Sequence, residues 1–229
     1  MKFSRRIIII YRRIIIIIDW SVVKEGVIIV IENIIFDLGN VFFDFLPEKY
    51  LAQKYDDSDL VDELTEKIFY TPEWKELDRG NLDNSKLVQK LTQKHPELEE
   101  QIRHIGQNWE EMLELKEETV KLLEELDQWD YSLYILSNIS EGAFNYLKNR
   151  YQFLDLFSGA IISGKLGVIK PEAEIYEKLI TRFQLKPQKS VFLDDRRDNI
   201  EEAKKQGLKT IHFTDISRVR KQLEEYNVL

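Results

Sequence analysis

The chain has 229 residues, 43% hydrophobic and 32% charged, a balance that fits a soluble globular fold and excludes a disordered or membrane-embedded one. Its formal net charge of −8 argues against a general nucleic-acid binder, because phosphate backbones are held by clustered cations. The absence of cysteine excludes disulfides, thiolate zinc sites and cysteine nucleophiles.

Residues 1–30 form an atypical N-terminal extension. The isoleucine runs Ile7–Ile10 and Ile14–Ile18 are split by Tyr11-Arg12-Arg13 and closed by Asp19. Neither approaches the ~20 unbroken apolar residues of a membrane helix. The single apolar stretch and small-residue cleavage site of a signal peptide are also not evident. Lys24-Glu25-Gly26 can be encoded by AAGGAGG, a bacterial ribosome-binding sequence, upstream of a GTG start at Val30. The extension is therefore expected to be translated upstream DNA rather than native coding sequence. If it is made, its β-branched runs are an aggregation hazard.

Asn33–Asp37 is a short apolar run ending on an acid, as a buried parallel strand does. From Pro47 to Leu115 no second strand is expected. Leu60, Leu64 and Ile68, then Leu87 and Leu91, then Ile102, Ile105, Trp109 and Leu113 recur at helical spacing. Thr71-Pro72 and Asp78-Arg79-Gly80-Asn81 read as turns between these helices. Strands and helices then alternate: helix Glu117–Leu126, strand Leu133–Leu136, helix Gly142–Lys148, strand Ala160–Ile162 and a helix opening at Pro171. Strand Val191–Leu193, helix Asn199–Gln206 stopped by Gly207, strand Thr210–Phe213 and helix Ile216–Tyr226 complete the chain. This alternation predicts an α/β fold, an open parallel sheet with helices on both faces and an all-helical insertion after the first strand.

Such sheets bind ligands beyond the carboxyl ends of their strands. Those ends carry Asp37, then Ser137 and Asn138, then Lys170, then Asp194 and Asp195. Carboxylates gathered there repel one another and demand a cation; Mg²⁺ suits them, as a hard ion taking oxygen ligands shared with water and phosphate. Lys170 can neutralise a carboxylate nucleophile and a phosphoryl oxygen, while Ser137 can hold another oxygen. His95, His104 and His212 lack metal-ligand spacing and read as surface or structural residues. Phe69, Tyr70, Trp74 and Trp109 read as packing within the helical insertion, whereas the Asp78-Arg79-Gly80-Asn81 turn is a candidate to touch substrate.

The segments IIFDLGNVFFD, LYILSN, GVIKPEAEIY and VFLDDRRDNI resemble, in order, the four motifs of the haloacid dehalogenase (HAD) superfamily. The resemblance runs from Glu32 to the C-terminus, and its nearest branch is the bacterial one with Asp-Leu-Gly-Asn in the first motif, which includes an α-D-glucose-1-phosphate phosphatase. It implies a Rossmann-like core over 31–45 and 115–229 and a helical C1 cap over 46–114. It also implies an aspartyl-phosphate on Asp37 and Mg²⁺ held by Asp37, the Gly39 carbonyl, Asp194 and Asp195. Lys170 would act in catalysis, and Ser137, Asn138 and Asn40 would meet substrate. Asn199 stands where many members carry a further acid supporting the metal, and Asp44 would be structural. The implied partner is a small phosphorylated metabolite, with glucose 1-phosphate favoured. The implied setting is a cytoplasmic monomer or homodimer without stable membrane association.

The departure is Gly39. Most phosphatases of this superfamily carry a second Asp there as general acid/base, a group worth ~10²–10⁴-fold in rate. Three consequences are open: substitution by Asn40 or a cap residue, a preference for esters whose leaving group needs little protonation, or a catalytically weak phosphate-binding protein. A metal-free dehalogenase, which also lacks the second Asp, leaves the Asp194-Asp195 pair without a role.

Overall fold

The computed structural model describes residues 6–11, 14–19, 30–129 and 131–229. The expectation for residues 1–30 falls largely outside them; within that stretch Arg6–Tyr11 (β1) and Ile14–Asp19 (β2) pair antiparallel. Among the described residues, no helix is long and apolar enough to cross a membrane.

The opening strand, Asn33–Phe36 (β3), is followed by Phe43–Phe45 (β4) and five helices: Pro47–Ala52 (α1), Ser58–Ile68 (α2), Pro72–Arg79 (α3), Asn84–Lys94 (α4) and Glu99–Asn108 (α5). Asp57, Thr71 and Asp83 start α2, α3 and α4 by accepting a bond from backbone N–H groups of the first turn, which otherwise lack partners. Leu113–Leu115 (β5) then returns antiparallel to β4, Phe43 opposite Leu115. No strand was expected there: three residues are too few to show a period, and pairing with β4 defines the element. The two strands form the ribbon from which the helical layer projects.

The remaining elements are Glu117–Gln128 (α6), Ser132–Ser137 (β6), Glu141–Arg150 (α7), Gly159–Ile162 (β7), Ser163–Leu166 (α8), Ala173–Arg182 (α9), Ser190–Asp194 (β8), Arg197–Lys205 (α10), Lys209–His212 (β9) and Ile216–Glu225 (α11). The parallel sheet runs β7-β6-β3-β8-β9, so the chain leaves the central strand to one side and later returns on the other. Phe36 lies opposite both Ile135 and Leu193, which aligns the carboxyl ends of β3, β6 and β8. Alternate residues serve the two faces. Ile34, Phe36, Ile135 and Leu193 join an apolar cluster that continues into the helical layer. Ile35, Leu136 and Phe192 pack instead with Ile175, Tyr176 and Leu179 of α9 and Ile200 of α10.

Three expectations are corrected. The helix placed at Pro171 opens at Ala173, beyond a cis Lys170-Pro171 bond, and Glu172 is turned toward Arg79 and the Ile169 N–H. Asp78 and Arg79 are not turn residues but the last turn of α3, which ends only at Gly80, in the left-handed conformation at φ 87°. Tyr70 does not pack: it is 70% exposed and donates to Glu48 at 2.9 Å.

Gly80 is required twice over. Its φ disfavours any side chain, and a Cβ there would lie 2.2 Å from the Gly164 carbonyl oxygen of α8. Gly80→Ala is expected to destabilise the protein by about 1–3 kcal/mol, through backbone strain and the parting of α3 from α8. Urea denaturation beside wild type measures it.

Candidate active site

The aligned strand ends bring one ammonium against two carboxylates. Lys170 is 3% exposed, and its Nζ reaches Asp37 Oδ2 at 2.8 Å, Asp194 Oδ2 at 2.6 Å and the Leu136 carbonyl at 2.9 Å. All three of its protons are thereby engaged, one at the end of each of β3, β8 and β6. Burial works against its charge, but Asp194 and Asp37 outweigh that and raise its pKa.

Asp37 accepts from the Leu38 N–H at 2.7 Å. Burial is the main influence on its carboxyl and carries its pKa up to about 7, against the lowering effect of Lys170; Asp194 adds to the rise and Ser137 opposes it. Asp194 is fully buried, and besides Lys170 it accepts from the Arg196 N–H at 2.8 Å and from Asn199 Nδ2 at 2.9 and 3.0 Å. Asp195 lies nearer the solvent, with Asn40 Nδ2 on its Oδ2 at 3.0 Å, and burial again raises its pKa. Oxygens of Asp37, Asp194 and Asp195 lie within 4.8 Å of one another.

This donor set fits a hard divalent cation. Three close carboxyls are matched by one buried ammonium, and burial, with the Asp194 charge adding to it, raises the pKa of Asp37 and Asp195. The buried Asn199 Oδ1 also has no hydrogen-bond partner. Asp37 and Asp195 carry fewer hydrogen bonds on their carboxyls than Asp194 does. Asp194, also expected as a ligand, belongs to the same carboxyl cluster and in addition holds Lys170 and Asn199.

The other expected residues divide similarly. Ser137 lies at the cavity wall, 2% exposed, beside Asp37. Asn138 was expected to meet substrate, yet its amide is engaged at both ends: Nδ2 donates to the Lys170 carbonyl and Oδ1 accepts from the Lys170 N–H. Asn40 has φ 53°, a conformation Asn tolerates, and its side chain ties Asp195 to the Phe45 N–H. Asp44 pairs with Lys116, which also donates to the Asn40 carbonyl. At Gly39 the backbone demands no glycine: a Cβ there would meet no atom within 4 Å, so the position simply brings no side chain to the cavity.

The cavity over these groups measures about 500 Å³, roofed by the helical layer. Phe45, Phe69, Trp74 and Trp109 make its aromatic wall, with Phe69 and Trp109 at 4.7 and 5.1 Å from Trp74 between ring centres. They pack on one another, as expected of these residues, and face the cavity too. Asp78, from the end of α3, also lines the cavity. Withdrawal from water raises its pKa to about 8, aided by the Asp37 charge.

Removing the ammonium leaves buried carboxylates uncompensated, which costs about 3–5 kcal/mol. Lys170→Met is expected to lose stability on that scale in chelator, measured by urea unfolding. The raised carboxyls predict a pH dependence as well. Asp37 and Asp78 keep protons in the fold that the unfolded chain gives up near pH ~4, so this stability is complete in acid and lost as pH rises through 7 to 8. The thermal midpoint in chelator is expected to fall from pH ~4 up to about 7 to 8 and to level off above, and Asp78→Asn to reduce the fall; calorimetry across that range checks both.

Comparison with known proteins places this architecture. The haloacid dehalogenase-like hydrolase family model matches residues 52–213. The sesquiterpene phosphatase astK of Aspergillus oryzae is 31% identical over 94 residues, 41% of this chain and 48% of that protein. The drimenol cyclase drtB of Aspergillus calidoustus is 24% identical over 160 residues, 69% of this chain and 30% of that protein. The chain thus spans half or less of the length of these curated relatives. Among solved structures, the HAD family enzyme bt-2542 of Bacteroides thetaiotaomicron, in complex with magnesium and inorganic phosphate, superposes with a TM-score of 0.66 at 20% identity, over 82% of this chain and 98% of that one. The L-2-haloacid dehalogenase of Xanthobacter autotrophicus superposes with a TM-score of 0.61 at 16% identity, over 87% of this chain and 84% of that one. With its parallel sheet, its helical insertion and a matched stretch covering most of its length, the chain belongs to the haloacid dehalogenase-like hydrolase family.

Proposed function

We propose that the protein is a Mg²⁺-dependent phosphatase of small phosphomonoesters. The observation that carries this reading is the Asp37 carboxylate, held by Lys170 at a cavity floor shared with Ser137 and Asp195. A carboxylate oxygen of Asp37 attacks phosphorus, the ester oxygen departs, and the aspartyl-phosphate is hydrolysed by water, so that one difficult displacement becomes two easier ones. Lys170 keeps Asp37 oriented and offsets charge on the phosphoryl oxygens, and the Ser137 hydroxyl donates to one of them. Mg²⁺, held by Asp37, Asp195 and the Gly39 carbonyl with Asp194 behind them, would supply charge neutralisation at the transferring group. The complex of bt-2542 with magnesium and phosphate supports the same chemistry.

The organic part of the substrate would rest against Phe45, Phe69, Trp74 and Trp109. A sugar phosphate such as glucose 1-phosphate follows from the first motif, and a sugar ring can stack on such a wall. The wall's aromatic character, together with the sesquiterpene phosphatase relative, favours a second candidate, an isoprenoid monophosphate.

Phosphate release from a panel holding glucose 1-phosphate, glucose 6-phosphate and farnesyl monophosphate is expected with Mg²⁺ and not with chelator. Asp37→Asn is expected to abolish it. Retention of full activity by that variant, or no release from any ester while beryllofluoride still binds, would replace the phosphatase by a phosphate-binding protein. Metal-free halide release would point to a dehalogenase.

A further inference from the structure

Expulsion of an alkoxide from phosphorus calls for a proton, and activation of the water that follows calls for its removal. Few groups at the cavity can do either. Asp37 is the attacking group, Lys170 has all three protons engaged, Asp195 is tied to Asn40, and Gly39 has no side chain. Lys75 is exposed, and the largely exposed Tyr70 donates to Glu48.

We infer that Asp78 is the general acid and base of the reaction, delivered across the cavity from the end of α3. This rests on the phosphatase reading. Asp78 shares the cavity with Asp37, and among the described residues its carboxyl has no hydrogen-bond or ion-pair partner. The end of α3 that carries it is nevertheless fixed to the core at three points. Ser163 Oγ donates to the Asp78 carbonyl, while accepting from the Ile139 N–H at 2.9 Å. Arg79 grips both oxygens of Glu172 at 2.6 and 3.0 Å, two residues from Lys170. Gly80 lies against Gly164. An anchored segment carrying an unpartnered carboxyl is what proton transfer requires, and withdrawal from water, aided by Asp37, holds that carboxyl above the ordinary carboxylate range.

The transfers balance. As Asp37 attacks phosphorus and the bond to the ester oxygen breaks, the Asp78 carboxyl gives its proton to the departing alkoxide and the alcohol leaves. The Asp78 carboxylate then takes a proton from a water whose oxygen attacks the aspartyl-phosphate. The bond between phosphorus and Asp37 breaks, inorganic phosphate departs, and both side chains return to their starting states.

Rapid-quench measurement of phosphoenzyme formation tests this with two esters, a phosphorylated primary alcohol and p-nitrophenyl phosphate, whose phenolate leaves without a proton. In Asp78→Asn the rate with the alkyl ester is expected to fall about 10²–10⁴-fold with KM little changed, the aryl ester losing under about 10-fold, and Asp78→Glu to recover part of the loss. Retained beryllofluoride binding shows that the fold and phosphate site survive; if Asn loses it, Asp78→Ala is read on the same esters. An equal loss on both esters, a rise in KM alone, or no change would overturn the assignment. Failure of wild type to form a phosphoenzyme from either ester would instead defeat the phosphatase reading itself.

Discussion

One buried ammonium organises the site. Lys170 has no water to solvate it, and its position is set by oxygens from three strand ends: Asp37 after β3, Leu136 in β6 and Asp194 in β8. A charge so placed is tolerated only when its partners are themselves charged and well oriented. Much of the surrounding sequence serves that end. Asn138 holds the Lys170 backbone from both sides, and Asn199 and the Arg196 N–H hold the acid that holds the lysine. The price is an excess of carboxylate, a donor set that fits a divalent cation.

The helical layer closes the cavity through aromatic packing and a polar clasp that act at different places. The Phe45, Phe69, Trp74 and Trp109 cluster joins the layer to the β4–β5 ribbon and supplies an apolar wall. The Arg79 pair with Glu172 and the Gly80 approach to Gly164 fasten the far end of α3 to α8 and the segment after it, beyond β7. The end of α3 that carries Asp78 is therefore held against the core.

Much of this was legible in the primary structure because it is written in short-range patterns. The strands that end on Asp37, Ser137 and Asp194 are apolar runs bounded by polar residues, and the ordered motifs mark which edge of the sheet carries chemistry. What was hidden lay in pairings distant in sequence. The β5 strand is three residues defined by a partner about seventy positions earlier. The extent of α3 through Arg79 depended on where Gly80 meets Gly164, so Asp78 read as a turn residue rather than a helical one. The amides of Asn40 and Asn138 looked free for substrate because their backbone and carboxylate partners lie at other strand ends.

From its residues alone the chain determined the alternation of strand and helix, the placing of acids and a lysine at strand ends, and the missing side chain at position 39, since each depends on neighbours a few positions apart. Only the tertiary structure decided how many bonds each carboxyl makes, with Asp194 the most engaged. It alone also brought Asp78 of the inserted layer to the cavity of Asp37, without a side-chain partner among the described residues. Those outcomes depend on burial and on distances between elements that strand order and helix packing create, and no local pattern encodes them.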